Sequence, residues 1–393
     1  MARPLFREPG RWGRLVLTVG VIVAALTYVW FQLSTAFYFH HDDLLQFSVS
    51  EEYGLSWELL GLNVFGHFAP FNRFLHLVLV REFRVSLEVG TAVMTALVAA
   101  LLLSVLWLAV ELRLPFWRRT FVLLLTGFSV AVLDTAVWLD GGVHILSALT
   151  VTYLVVAAHV RGLNTGRVAW HVLSVVMFAL GFATQERTAF ALPLIVLVDL
   201  LLVGAGRPWR RRLALLWSAR WALAAMVVLS LTAVALLRAF YQGGGVPAPT
   251  LGEVGRVFAG ATTSVLVPTI VGLPPADLPS AGVQFLAGVC IVAVAALLLR
   301  RDRRNAGPLA MVLATAVLYY GFLIFSPILT PKTVVMNALR LNNVVYLLVP
   351  TLLALAHLDL RMAARAGSAL GPAVRARYVP LAAVVLTAVV LIG

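Results

Sequence analysis

The stretch His40-His41-Asp42-Asp43 carries residue types suited to acid–base chemistry, at a place where they are costly. It follows the first long apolar run, where that run should leave a membrane. Ionisable groups at such boundaries are expensive and are read as functional by default. Neighbouring carboxylates repel, which raises the pKa of one and poises it as a general base. A solvated helix start explains the pair too, because Asp favours N-caps. A metal site on both histidines and both aspartates is the weaker alternative: adjacent residues point in different directions, and no distant third ligand accompanies them.

Three further clusters have polar groups among apolar neighbours. Gly66-His67-Phe68-Ala69-Pro70-Phe71-Asn72-Arg73 places His67 and Arg73 between aromatics near the bilayer. They suit a phosphate or sugar contact, or equally a turn with a snorkelling Arg. Thr184-Gln185-Glu186-Arg187 lies between two apolar runs, where Glu186 and Arg187 line a cavity or pair with each other. Lys332 and Arg340 are cations on a side otherwise poor in positive charge. A phosphate ligand explains them, and so does an ion pair with the nearby acids. Asp134 and Asp140 bracket a turn with Gly141-Gly142 and His144, and helix-end solvation is the expectation for both.

The elements that must position these groups are membrane helices. The chain has 393 residues, 61% of them hydrophobic and only 12% charged. Its mean hydropathy is +0.96. A soluble domain carries about twice that charged fraction. The formal charge of +13 comes from arginines in short clusters between apolar runs, the positive-inside pattern and not a nucleic-acid groove. One cysteine, Cys290, excludes an intramolecular disulfide framework. Lys332 is the only lysine, and with abundant Ala, Val and Leu this suggests a high-GC bacterial genome.

Apolar runs predict about eleven spanning helices. Their cores lie near 14–36, 88–110, 120–138, 143–160, 168–184, 188–204, 214–237, 283–299, 308–326, 343–358 and 379–393. The first run is too long for a signal-peptide core and reads as a retained helix. Arginine clusters, from Arg3/Arg7/Arg11/Arg14 through Arg207/Arg210/Arg211/Arg212 to Arg361/Arg365/Arg375/Arg377, fall in every second connection. They put the N-terminus in the cytoplasm and the acid-rich connections outside. Two outer connections are long, 37–87 and 238–282. Within the first, Leu44–Leu60 and Phe71–Phe83 read as helices lying on the membrane surface. Residues 1–393 thus read as a single all-α polytopic domain of a bacterial plasma (inner) membrane. There is no P-loop, Rossmann fingerprint or serine-nucleophile elbow.

A basic first helix, an outer loop opening with paired acids, and two surface helices resemble the GT-C superfamily of integral membrane glycosyltransferases. Phe182-Ala-Thr-Gln-Glu186-Arg-Thr-Ala-Phe-Ala-Leu-Pro193 resembles the "S-K-E-x-A…P" stretch of its protein O-mannosyltransferase branch. Arg340-Leu-Asn-Asn-Val-Val-Tyr346-Leu-Leu-Val-Pro350 resembles the "R-Y-x-Y-L-P" stretch of that branch. The chain departs from the pattern at Gln185, where Lys is usual, and at Asn342-Asn343, where Tyr is common.

The resemblance implies a GT-C-like bundle that moves a sugar from a polyprenyl-phosphate donor to an acceptor hydroxyl on protein, lipid or glycan, on the extracytoplasmic face. Asp43, or Asp42, takes the hydroxyl proton. Arg340, then Lys332, Arg187 and Arg73, stabilise the leaving phosphate. Glu186 positions the acceptor or orients an arginine, and His41 and His67 line the cavity. No cofactor is expected and no divalent metal is indicated. A transporter or flippase of lipid-linked glycans would also show intramembrane charges. A non-catalytic membrane scaffold would leave the polar clusters dispersed.

Overall fold

The computed structural model describes residues 9–62, 69–84, 86–240, 250, 252, 296, 299–300, 305–324 and 341–358. Three sequence-level site residues, His67, Lys332 and Arg340, lie outside them, as do the expected span at 379–393 and most of those at 283–299 and of the connection 238–282.

The described residues are helical. They contain no β-sheet, and one isolated parallel bridge pairs Tyr38 with Trp138. The helices are α1 (Arg11–Ala36), α2 (His41–Tyr53), α3 (Trp57–Gly61), α4 (Pro70–Phe83), α5 (Leu87–Glu111), α6 (Phe116–Gly127), α7 (Val130–Ala136), α8 (Leu139–Thr165), α9 (Val168–Gly181), α10 (Ala191–Leu197), α11 (Trp209–Ser218), α12 (Arg220–Phe240), α13 (Ala306–Ile324) and α14 (Leu341–His357). The chain divides into two compact units. One comprises Met1–Phe128, Val132–Asp199 and Leu213–Gly244; the other comprises Ser129–Ala131, Leu200–Arg212 and Gly245–Gly393.

Among the described residues, α1, α5 and α8 are long and apolar enough to cross a membrane, and the number rises to five if each of two bent pairs is one span. This is an α-helical protein built to span a membrane several times. In the first unit α8 is central and packs against α5 and α9. Of its most apolar window, 83% is buried, against 11% for α1. Two of the bundle's aromatic residues, Trp12 and Phe31, are 77% and 63% exposed on α1. Such a surface suits lipid and not water. In the second unit α13 packs on α14, and Tyr319 stacks on Tyr346 with ring centroids 5.1 Å apart.

Local sequence explains the element ends. Ser56 and Ser86 cap α3 and α5 by accepting from the backbone N–H groups of Leu59 and Val89. Pro70 opens α4 at its first turn, where its missing N–H costs nothing. The expected surface helix Leu44–Leu60 is two helices. Gly54 separates them at φ +59°, a left-handed conformation that glycine adopts without strain. The expected span 120–138 is bent by 44° between α6 and α7, and Ser129 restarts the helix by accepting from the N–H of Ala131. The expected span 188–204 is a 3-10 turn (Glu186–Phe190), α10, then a π-helical turn (Val198–Val203). Pro193 lacks the N–H that a continuous α-helix would bond to Ala189.

Candidate functional site

The site lies in the first unit, around the N-termini of α2, α4 and α8. The Tyr38–Trp138 bridge brings the end of α1 to the start of α8, and the His40 ring sits 5.4 Å from the Trp138 ring, centroid to centroid. His40 is the N-cap of α2, and Asp43 is the third residue of that helix. The Asp43 carboxylate serves two helix starts at once. Its Oδ2 accepts from the N–H of His40 at 2.6 Å, and its Oδ1 accepts from the N–H of Asp140 at 2.5 Å. Asp140 is the second residue of α8, so its N–H has no partner within the helix. A carboxylate there also meets the positive end of the helix dipole.

Asp43 is fully buried. Burial pushes its carboxyl up to about 6, well above the usual carboxylate range. The two backbone N–H groups pull it down in part, and the nearby Asp140 charge pushes it up.

Asp140 organises the next layer. Its Oδ1 lies 3.3 Å from Nε2 of His144, one turn along α8, and 3.8 Å from Nε2 of His76 on α4. His76 Nδ1 is 2.7 Å from the carbonyl of Asn72. A carbonyl only accepts, so Nδ1 carries the proton, and in the neutral ring Nε2 presents a lone pair. Burial pushes the His76 pKa down, with the Asp140 charge opposing. Arg73, 2% exposed, is a buried cation in the field of the same carboxylate. Burial lowers its pKa to about 10, and the Asp140 charge raises it.

The third layer is the turn before the 3-10 segment. The N–H of Phe71 donates to the carbonyl of Ala183 at 2.8 Å, and Asn72 Nδ2 donates to the carbonyl of Thr184 at 2.9 Å. The first of these satisfies an orphan donor at the start of α4. Thr184 and Thr188 both donate their hydroxyls to the carbonyl of Gly181, which fixes the turn. Gln185 is buried, and Glu186 and Arg187 are half-buried.

These contacts bring together stretches that are far apart in sequence, residues 40–43, 71–76, 140–144 and the carbonyls of Ala183 and Thr184, next to which Glu186 and Arg187 follow in the chain. Asp42 is separated in role from its neighbour. Its side chain is 28% exposed and lies 3.8 Å from Nδ1 of His40. His41 points outward and is exposed.

The expected solvation holds for Asp134, which is exposed, but not for Asp140, which is 7% exposed inside the cluster. The helix start that was to solvate Asp140 is covered by α2 and α4. His76 was missed by sequence reasoning, and His144 was named there only as part of the turn between Asp134 and Asp140. Their signals were there: Asn72, Arg73 and His76 share one stripe of an otherwise apolar helix, and Asp140 and His144 are one turn apart.

Helices α2 and α4 each bury a polar stripe beside the apolar Phe47, Leu77 and Leu79. Asp43, Gln46 and Ser50 of α2 and Asn72, Arg73 and His76 of α4 are buried. Leu44, Phe71 and Phe74 are exposed. Polar groups turn inward when the outer solvent is lipid. Among the described residues, no group of three or more His, Cys, Asp or Glu side chains is arranged to hold a metal ion.

No protein-family model matches this chain, and no curated protein is recognisably related to it.

Proposed function

We propose that this protein is a GT-C-type glycosyltransferase that moves a sugar from a polyprenyl-phosphate donor to an acceptor hydroxyl at the extracytoplasmic face of a bacterial inner membrane. The observation that carries this reading is the convergence of Asp43, Asp140, the Asn72-Arg73 stripe and the Ala183-Thr184 turn on one buried polar cluster. Dispersal of these groups would have favoured a scaffold.

The cluster supports a division of labour. Asp43 is wholly buried and both of its oxygens accept backbone N–H bonds, so it is a positioning residue. Asp42, beside it and partly exposed, is the acceptor's base. It takes the hydroxyl proton as that oxygen bonds the anomeric carbon. The bond from that carbon to phosphate oxygen breaks, and the electron pair leaves with the polyprenyl phosphate, inverting the anomeric centre. Arg187 neutralises the leaving phosphate. Arg73 balances Asp140 and holds α4 to α8, and Glu186 orients the acceptor.

The test is transfer from a radiolabelled polyprenyl-phosphate sugar by the purified protein in liposomes, with Asp42→Asn and Asp43→Asn assayed singly. Loss of a positioned base lowers the rate by roughly 10²–10⁴-fold, which is the expected result for Asp42→Asn. Full activity in both variants would overturn the catalytic reading.

One observation favours the transport alternative. His159 on α8 bonds Asp199 at 2.9 Å with both side chains fully buried, and the His171 ring lies 5.1 Å from that of His159. Buried ionisable groups inside a helical membrane bundle mark ion pathways in transporters. Movement of a fluorescent polyprenyl-phosphate glycan across the same liposomes, abolished by Asp199→Asn while transfer is absent, would decide for it.

A further inference from the structure

A second candidate site lies in the second unit, far along the chain from the acid cluster. Leu201, Ala205, Gly206, Ala306, Gly307 and Ala310, with Arg212, line a cavity of about 400 Å³. Its walls are small and apolar, and Arg212 supplies the lining's only charge. Two hydrogen bonds hold the guanidinium there: Nε to the carbonyl of Arg207 at 2.9 Å and Nη1 to the carbonyl of Leu200 at 3.2 Å. Pockets of this volume suit a small ligand or headgroup.

Arg212 belongs to α11, Trp209-Arg-Arg-Arg-Leu-Ala-Leu-Leu-Trp-Ser218, in which no residue is buried. Trp209, Leu213 and Trp217 recur every fourth residue, so they share one face. They are 56%, 44% and 68% exposed, so nothing described covers that face. Arg210 and Arg211 lie on other faces. No Asp or Glu occurs between Asp199 and Glu253, so Arg207, Arg210, Arg211 and Arg212 have no counter-charge from their own stretch of chain. After α11 the chain turns by 67° into the apolar α12. A short cationic helix with an uncovered Trp/Leu face, bent away from a span, has the pattern of a helix lying in the headgroup layer.

We propose that the start of α11, Trp209–Arg212, and the cavity under Arg212, all in the second unit, form a binding site for an anionic phospholipid. Trp209 enters the acyl boundary, Arg210 and Arg211 attract the acidic leaflet, and Arg212 holds the headgroup phosphate in the cavity. The match is one of charge complementarity: four arginines without acids against a lipid phosphate and its acidic neighbours. This site is independent of the sugar-transfer reading and of which face of the membrane is outside.

The experiment is native mass spectrometry of the full chain in detergent, titrated with phosphatidylglycerol, phosphatidylcholine, or water-soluble glycerol phosphate. The expected result is retention of phosphatidylglycerol at least tenfold more tightly than phosphatidylcholine, with glycerol phosphate failing to displace it. Arg212→Gln weakens retention, but it also removes two bonds that hold the backbone. Arg210→Gln/Arg211→Gln and Ala310→Leu therefore serve as variants that leave those bonds intact. The double variant weakens retention by roughly fivefold for each arginine, and Ala310→Leu, which fills the cavity from an exposed position, abolishes the preference for phosphatidylglycerol. Equal binding of the two lipids, unchanged retention in the double variant, or displacement by glycerol phosphate would each overturn the proposal, the last by making this a free-phosphate site.

Discussion

The backbone N–H of Asp140 donates to Oδ1 of Asp43 at 2.5 Å, joining positions 97 residues apart. Through this bond one carboxylate completes the first turns of both α2 and α8. It draws the acidic stretch after α1 onto α8, the most buried of the three long described spans.

Removing that carboxylate costs structure before it costs chemistry. Asp43→Ala leaves the N–H groups of His40 and Asp140 without their acceptor, at about 1–3 kcal/mol for each that stays buried. The expected outcome is a clear fall in the thermal unfolding midpoint of the detergent-solubilised protein. Asp42→Ala, at a partly exposed position, changes the midpoint little. Equal midpoints for the two variants would refute the capping role.

The raised Asp43 pKa gives stability a pH dependence of known sign. Its folded value, about 6, lies above the ordinary 3.8, so the folded state favours the protonated acid. The contribution is therefore complete below about 3.8 and is lost as pH rises through 6. Asp43→Asn is neutral throughout and lacks this term. The difference in unfolding midpoint, wild type minus Asp43→Asn, should fall between pH 4.5 and pH 7. A difference that rises over that interval contradicts the buried-acid description.

Asp140 and Asp134 test burial against mere presence of charge. Asp140→Ala removes a buried carboxylate whose charge favours the buried Arg73 cation and that lies 3.3 Å from His144, so it costs more than about 1 kcal/mol. Asp134→Ala is at an exposed position, where changes stay within about 0.5 kcal/mol. Combining Arg73→Met with Asp140→Leu should recover part of the first loss, because the buried cation is removed together with the carboxylate whose charge favours it. Chemical or thermal unfolding of the three variants measures all of this.

Gly142 allows α8 to start where it does. A Cβ there would lie 2.6 Å from the carbonyl of Thr135 and against the Met94 side chain. Backbone cannot yield as a flexible side chain can, so Gly142→Ala shifts the first turn of α8 and with it Asp140. The expected outcome is a lower unfolding midpoint together with reduced transfer. Gly10→Ala, where the added atom meets nothing within 4 Å, leaves both unchanged.

The buried pair in the other half of α8 is a separate case. Asp199→Ala leaves His159 Nε2 without its partner at 2.9 Å, with an expected loss of about 1–3 kcal/mol. If transfer activity survives in the variant that still folds, the pair belongs to the architecture and not to the sugar-transfer chemistry.

Much of the fold was legible in the chain. Long apolar runs marked α1, α5 and α8, since only length and composition decide whether a helix can cross a membrane. Pro70 marked the start of α4. The breaks were harder to read. Gly54 divides the expected Leu44–Leu60 helix, and Pro193 sits in a run whose turns change from 3-10 to α to π, because one missing N–H or one left-handed residue redirects a helix without altering its hydropathy.

By itself, the sequence determined the solvent and the reactive types: a lipid-facing helical chain with an acid pair placed after its first long apolar run. Tertiary structure alone decided what each acid does. Asp42 and Asp43 are the same residue type one position apart, yet 100° of helical rotation leaves one partly exposed and buries the other against α8. Asp140 read as a solvated helix end until α2 and α4 covered it. Burial and hydrogen-bond partners are properties of contacts between distant segments, and Asp140 meets residues 43 and 76 only because the start of α8 packs against α2 and α4.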